Sequence, residues 1–115
     1  MKVDDCLFCK IARGEIDSTE VASTERVYAF RDINPAAPTH VLVIPRDHIA
    51  SAADLTADHG GLLGEMFEVA ADIARKEGVE GGYRLVTNVG AEAGQSVFHL
   101  HVHILGGRSF SWPPG

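Results

Sequence analysis

The sequence predicts an α+β fold, in which an antiparallel sheet carries helices on one side. The order of elements is one observation: a short helix and three strands precede one long helix, and two more strands follow it. A second observation is that the connections between successive strands are short. This favours antiparallel pairs, because a parallel pair needs a long crossover. Five strands would leave exposed edges, and joining two sheets across a dimer would remove one edge from each subunit.

Local patterns place the individual elements of this fold. Apolar residues recur at three- and four-residue intervals from Leu62 to Ala74, as on one face of a helix, and Gly78 can end that helix. The strands are short runs rich in β-branched and aromatic residues, and two prolines in residues 34–39 predict a loop. The predicted elements are helix 6–13, strands 19–22, 26–33 and 40–44, helix 56–76, and strands 83–89 and 97–105.

Composition and charge indicate the broad class of protein. The 115 residues fit a single domain spanning 1–115, and 45% hydrophobic with 23% charged residues is typical of a globular chain. The net charge of −6 argues against a nucleic-acid partner but not against a small anionic ligand. No run reaches the roughly 18 apolar residues that span a bilayer, and residues 1–5 lack the apolar core of a signal peptide. We therefore expect no membrane partner and a cytoplasmic location.

Half of the six histidines lie in one predicted strand, where they alternate with apolar residues. Alternate side chains of a strand share a face, so His99, His101 and His103 project together while the apolar residues between them pack on the core. The histidines could form a polar face by chance, bind one metal ion, or act on a phosphate. A single ion cannot hold all three, because the first and third lie about 13 Å apart and Zn–N bonds are near 2.0 Å.

Phosphate chemistry fits this segment and the turn before it. Neutral imidazole is a nucleophile toward phosphorus, and a neighbouring imidazolium can hold a phosphoryl oxygen or pass a proton. The turn at Gly94, Gln95 and Ser96 offers backbone N–H groups and a hydroxyl to an anion. The sequence thus places a nucleophile, a proton carrier and an anion cradle within ten residues.

Residues 94–107 resemble the signature of the histidine triad (HIT) superfamily, in which three histidines alternate with apolar residues. The ending Trp112-Pro113-Pro114-Gly115 is similar to that of the histidine triad nucleotide-binding (HINT, or protein-kinase-C-inhibitor-like) branch. The resemblance implies a HIT-like fold of five antiparallel strands and two helices, with homodimers joined into a ten-stranded sheet. It also implies hydrolysis of purine nucleoside phosphoramidates to a nucleoside monophosphate and an amine, through a covalent nucleotidyl-histidine. Other matching segments are Phe30-Arg31-Asp32-Ile33, Ala37-Pro38-Thr39-His40, Val41 to Pro45, His48-Ile49 and Val86-Thr87-Asn88.

The resemblance assigns catalytic roles by position. His101 would attack the α-phosphorus while the backbone carbonyl of His99 accepts a hydrogen bond from its ring. His103 would bind the phosphate and transfer protons, and Ser96 would donate to the scissile nitrogen or a phosphate oxygen. His40 would support the leaving group or the triad, although a histidine at a strand end can also be satisfied by the backbone alone.

The resemblance also implies a nucleotide-binding set. Asp32 would accept both ribose hydroxyls, although it could instead form a turn beside Asn34-Pro35. Ile33 and Phe8 would pack on the base, and Trp112, whose alternative role is packing, would reach toward the partner subunit's site. The implied set is Phe8, Asp32, Ile33, Asn88, Gly94, Gln95, Ser96, Val97, His101, His103 and Trp112.

Cys6-Leu-Phe-Cys9 could be a redox pair, two core thiols or half of a metal site. Tetrahedral zinc needs two more ligands, for which His48 and His99 are the candidates. Some microbial members of the family carry such a Cys-Cys-His-His site. The resemblance therefore implies a structural zinc with no open coordination position, and no catalytic cofactor.

Two alternatives to a phosphoramidase remain at this point. One is another enzyme of the superfamily, such as a dinucleoside polyphosphate hydrolase or a nucleotidyl transferase. The transferase branch carries glutamine in place of the third histidine, here His103, and the polyphosphate hydrolases lack the Trp-Pro-Pro-Gly ending. The other alternative is a nucleotide-binding scaffold protein, which the complete set of histidines disfavours.

Overall fold

The computed structural model describes residues 5–115. It contains one five-stranded sheet in the order β1-β2-β3-β5-β4, and every neighbouring pair is antiparallel. The predicted α+β class, with five antiparallel strands and two helices, is confirmed. The elements are α1 (Leu7–Ala12), β1 (Glu20–Ser23), β2 (Val27–Arg31), β3 (Thr39–Pro45), α2 (Gly60–Lys76), β4 (Tyr83–Val86) and β5 (Val102–Gly106).

The two helices cover opposite faces of the sheet, so the expectation that both lie on one side is wrong. Side chains of β2 alternate between the two faces: Val27 and Ala29 pack in the cluster under α2, whereas Tyr28 and Phe30 pack in the cluster under α1. All seven residues of β3 are buried, because helices cover this central strand on both sides. The short helix α1 therefore forms a second, smaller apolar layer.

Helix α2 follows the predicted apolar pattern closely. Its first turn is preceded by a 3₁₀ turn, Ala57–His59, whose N-cap Thr56 accepts a hydrogen bond from the amide of Asp58. Gly78 has a φ of +73°, a conformation that glycine adopts without strain, and it follows the end of the helix. The face toward the sheet contains buried Met66, Val69, Ala70, Ile73 and Ala74, with Leu62 partly buried beside them.

The histidine segment is only partly a hydrogen-bonded strand, which corrects the predicted range of 97–105. The ladder with β3 starts at Val102, opposite Val43, and the ladder with β4 starts at His103, opposite Val86. Before that point the backbone groups have other partners: the amide of Leu100 donates to the carbonyl of Ile49, the hydroxyl of Thr87 donates to the carbonyl of His101, and the ring of His101 donates to the carbonyl of His99. The side chains still alternate, and Leu100, Val102 and Ile104 lie in the core under α2.

Among residues 5–115, no helix is both long enough and apolar enough to cross a bilayer.

Candidate active site and metal centre

A cavity of about 270 Å³ opens between α1, the end of β2 and the histidine segment. Most of its wall is apolar, and the polar groups of Asp32, Ser96, His101 and His103 stand along its rim and floor. Such an apolar pocket with a few convergent polar groups is typical of a small-molecule site. The lining residues are Leu7, Phe8, Ile11, Phe30, Arg31, Asp32, Ile33, Leu42, Ser96, Val97, His101 and His103.

The hydrogen bonds of His101 determine which of its nitrogens is free to react. Its Nδ1 lies 2.7 Å from the backbone carbonyl oxygen of His99, and a carbonyl oxygen can only accept. The proton of the neutral ring is therefore on Nδ1, and Nε2 carries a lone pair. The ring is buried, with the edge of Phe8 packed against it at a centroid distance of 5.1 Å. The arrangement leaves Nε2 as a positioned nucleophile.

A chain of hydrogen bonds fixes the proton of His103 in the same way. The amide of Ala36 donates to Nδ1 of His40 at 3.0 Å, so the proton of neutral His40 is on Nε2. That Nε2 lies 2.9 Å from Nδ1 of His103 and donates to it. Neutral His103 therefore carries its proton on Nε2, and its ring lies 5.0 Å from that of His101, centroid to centroid. One imidazole thus offers a lone pair and its neighbour offers a proton.

The surroundings of His40 and His103 favour the neutral form of both rings. Burial, followed by repulsion from His101 and His40, lowers the pKa of His103 to about 4. Burial also lowers the pKa of His40, although the negative charge of Asp32 opposes the shift. The alternative in which His40 is satisfied only by the backbone fails, because its second nitrogen faces His103.

Asp32 forms the turn considered from the sequence, and it also lines the cavity. Its Oδ1 accepts a hydrogen bond from the amide of Asn34 at 2.8 Å, which is a turn-forming contact. Its Oδ2 lies 3.4 Å from Nε2 of His40, and the residue lines the cavity. The neighbouring Ile33 is 92% exposed at the cavity mouth, where it offers an apolar surface to a ligand.

Many of the hydrogen-bonding groups in the turn before the histidines bond to other protein groups nearby. The amides of Gly94 and Gln95 donate to the carbonyls of Ala91 and Gly90. The buried side chain of Gln95 accepts from Gly90 and donates to two backbone carbonyls, so it holds the turn together. Direct phosphate binding by Gly94 and Gln95 is therefore corrected to a supporting role, whereas Ser96 and Val97 do line the cavity.

Two other residues of the implied set lie away from the cavity. Asn88 is beside Gly94, with its amide nitrogen 3.7 Å from where a Cβ on that glycine would stand, and it does not line the cavity. Trp112 is 82% exposed and also lies outside the lining of its own chain's cavity. Sequence reasoning missed the apolar walls Leu7, Ile11, Phe30 and Leu42, although the alternation in β2 is a signal for Phe30.

Four residues separated in the sequence meet at the start of α1. The donor atoms of Cys6, Cys9, His48 and His99 all lie within 4.8 Å of one another. Nδ1 of His99 is 3.2 Å from Sγ of Cys6 and 3.4 Å from Sγ of Cys9, which is also 3.4 Å from Nδ1 of His48. With Zn–S bonds of about 2.3 Å and Zn–N bonds of about 2.0 Å, tetrahedral ligand atoms lie about 3.5 Å apart. The four donors therefore fit zinc.

The hydrogen bonds around this cluster also fit a metal. Nε2 of His99 lies 2.8 Å from the carbonyl oxygen of Pro45, so it carries the proton and Nδ1 turns its lone pair toward the sulfurs. Both cysteines are buried free thiols. Burial, together with the neighbouring Cys6, raises the pKa of the Cys9 thiol to about 11, so a bound metal would displace its proton.

A second cluster, of Asp32, His40 and His103, also brings its donor atoms within 4.8 Å. Its hydrogen bonds oppose a metal, however. Ligation through Nε2 of His40 would move the proton to Nδ1, where it would meet the N–H donor of Ala36. A ligating histidine instead needs an acceptor at its other nitrogen. This cluster is therefore arranged to hold and move protons.

The sheet and the buried, hydrogen-bonded histidines indicate an enzyme whose reaction takes place at an imidazole. Comparisons with known proteins support this class. The family model described as "Scavenger mRNA decapping enzyme C-term binding" matches residues 5–111. Purine nucleoside phosphoramidase of Escherichia coli K12 is 49% identical over 106 residues, which cover 91% of this chain and 89% of that protein. The 14 kDa zinc-binding protein of Zea mays is 49% identical over 118 residues, covering 99% and 92%.

Solved structures show the same relationship. A HIT family hydrolase from Legionella pneumophila superposes with a TM-score of 0.94 at 51% identity, covering 96% of this chain and 100% of that one. The chain is therefore a hydrolase of the histidine triad (HIT) superfamily. The five-stranded fold and the HIT superfamily implied by the sequence resemblance are confirmed.

Proposed function

We propose that this chain is a purine nucleoside phosphoramidase of the HINT branch. It hydrolyses the P–N bond of adenosine or guanosine 5′-phosphoramidates to a nucleoside monophosphate and an amine. The observation that carries the proposal is the pairing of His101, whose Nε2 has a free lone pair, with His103, whose Nε2 carries a proton, in one cavity. The activity named for the Escherichia coli relative supports it.

The first step forms a covalent intermediate. Nε2 of His101 attacks the α-phosphorus, and the P–N bond breaks with its electron pair leaving on the amine nitrogen. That nitrogen takes a proton from solvent as it leaves, while Nε2–H of His103 donates a hydrogen bond to a phosphoryl oxygen and Ser96 donates one to the leaving nitrogen or to a phosphoryl oxygen. The nucleotidylated ring of His101 gains positive charge, which the carbonyl of His99 stabilises through the hydrogen bond at Nδ1.

The second step releases the nucleotide. Water attacks the same phosphorus, the P–N bond to His101 breaks, and the electron pair returns to Nε2. The water proton passes to solvent, and His101 and His103 are again neutral, so the site returns to its starting state. His40 holds Nδ1 of His103 throughout and keeps the proton of His103 on Nε2, where it can donate to the phosphoryl group.

The chemistry of the cavity walls supports one placement of the nucleotide. Phe8, Ile33 and Leu42 supply apolar surface for a purine, and Asp32 supplies two carboxylate oxygens for the ribose hydroxyls. Ser96 and Val97 face the phosphate from the turn before the histidines. These contacts orient the α-phosphorus toward His101.

We also propose that Cys6, Cys9, His48 and His99 bind a structural zinc. Four protein ligands leave no position for substrate, so the ion supplies a crosslink between α1 and the histidine segment and takes no part in the reaction. The zinc-binding name of the Zea mays relative supports this assignment. We expect the protein to work in the cytoplasm, where reducing conditions keep both thiols available.

We propose further that the protein is a homodimer joined through sheet edges into ten strands. The edge strand β1 is interrupted by a bulge between Glu20 and Ala22, which opposes edge pairing. The other edge, β4, pairs regularly with β5 along its length and is the better candidate. Light scattering should give twice the chain mass, and a monomer would contradict the assignment.

The decisive experiment is hydrolysis of adenosine 5′-phosphoramidate. The protein should release AMP, and a His101→Asn variant should bind AMP yet turn over at least a hundredfold more slowly. Absence of turnover alongside cleavage of diadenosine polyphosphates would replace this proposal with the polyphosphate hydrolase. Binding of AMP without cleavage of either substrate would indicate a scaffold protein.

A further inference from the structure

The C-terminal segment after β5 packs against the loop that contains Ala36 and is hydrogen-bonded to it. Gly107 has a φ of +89°, and a Cβ there would lie 2.9 Å from Cβ of Pro38 and 3.2 Å from its Cγ. Only glycine allows this close approach of the two chain segments. The next residue, Arg108, donates from Nε to the carbonyl of Ala36 at 3.1 Å. The two contacts hold loop 34–38 from one side.

Ala36 is the residue on which the proton arrangement of the site depends. Its carbonyl accepts from Arg108, and its amide donates to Nδ1 of His40. With that amide in place, the proton of His40 is on Nε2 and points at His103. If the loop turned away, Nδ1 of His40 could take the proton, and Nε2 would then accept from His103. The reacting nitrogen of His103 would lose its proton.

We propose that Arg108 is a positioning residue that fixes the tautomers of His40 and His103 by holding Ala36. The inference rests on the proposed function for its catalytic consequence, but the tautomers themselves can be measured without turnover. Arg108 is held in place by stacking on Phe110, with Cζ 4.3 Å from the ring centroid, and by donation to the carbonyl of Ser109.

The chain offers a matched control in Arg84. Its guanidinium also stacks on Phe110, with Cζ 5.1 Å from the ring centroid, and donates to the carbonyl of Ser111 at 2.9 Å. It therefore resembles Arg108 in charge and in contact with the C-terminal segment. It makes no hydrogen bond to loop 34–38 among the contacts of residues 5–115.

The experiment compares Arg108→Met, Arg108→Lys and Arg84→Met in the full chain. In the native protein, ¹⁵N spectra of the imidazoles should show His40 and His103 protonated on Nε2. Arg108→Met should shift both toward the Nδ1 form and lower kcat about tenfold with KM within twofold. Arg108→Lys, which can still donate to Ala36, should recover most of both readouts, and Arg84→Met should change neither.

Unchanged tautomers in Arg108→Met would overturn the inference, as would equal effects of Arg108→Met and Arg84→Met. The spectra also separate this inference from the proposed reaction. If the native protein fails to cleave phosphoramidates but Arg108→Met still changes the tautomers, the proposed function fails and the positioning role stands.

Discussion

The unusually low pKa of His103 predicts how the stability of the fold depends on pH. In the unfolded chain a histidine takes up its proton near pH 6.5, whereas burial and the neighbouring imidazoles delay uptake by folded His103 to about pH 4. Between these values the unfolded state binds more protons than the folded state, so the free energy of unfolding falls as the pH falls. The contribution of His103 is complete above pH 6.5 and is lost as the pH falls to about 4.

The size of this effect follows from the two pKa values. The span from 6.5 to about 4 corresponds to about 3 kcal/mol in the free energy of unfolding, at 1.36 kcal/mol per pH unit. Replacing His103 with Gln removes the titrating group and keeps a side chain of similar polarity. The difference in unfolding free energy between pH 7 and pH 4 should therefore be smaller in His103→Gln by up to about 3 kcal/mol.

Urea denaturation followed by far-UV circular dichroism measures these free energies. The His103→Gln variant should retain some pH dependence of stability, because it still contains His40, whose pKa is also lowered by burial. Equal pH dependence in the native protein and His103→Gln would refute the reasoning. So would an NMR titration that places the pKa of native His103 near 6.5.

Three further predictions concern the metal site and the core. Cys6→Ala should reduce bound zinc from about one ion per chain to none, measured by elemental analysis; full occupancy in the variant would show that Cys6 is no ligand. Because the Cys9 thiol has a pKa of about 11, zinc uptake should release at least its proton, and the apparent affinity should rise at least about tenfold per pH unit near neutrality. A proton-release signal of zero in an unbuffered titration would contradict this. Ile104→Ala, at a fully buried position under α2, should cost about 2–5 kcal/mol, whereas Ile33→Ala, 92% exposed, should cost less than about 0.5 kcal/mol.

The histidine segment shows what side-chain periodicity specifies. Alternation correctly separated His101 and His103 on one face from Leu100 and Ile104 in the core. The same pattern predicted a strand that is too long. The backbone groups before Val102 instead bond to the carbonyl of Ile49, the hydroxyl of Thr87 and the ring of His101, and the tertiary fold sets these contacts.

The hydrogen-bond partners of polar groups were harder to predict than the face on which a side chain lies. Gln95 reads as part of an anion-binding turn, yet its side chain is consumed by three backbone contacts that no local pattern reveals. Arg108 and Ala36 are 72 positions apart, so their hydrogen bond is invisible to any window along the sequence. The clustering of Cys6, Cys9, His48 and His99 was predicted because tetrahedral zinc needs four ligands and the family resemblance implied which histidines accompany the cysteines.

Residue 99 serves two neighbouring sites through different parts of itself. Its imidazole faces the two sulfurs, whereas its main-chain oxygen orients the ring of His101. Any amino acid at this position supplies that oxygen. The proposed metal site and the proposed reactive site are therefore separable: apolar side chains can replace the four proposed ligands while the carbonyl of residue 99 still orients the ring of His101.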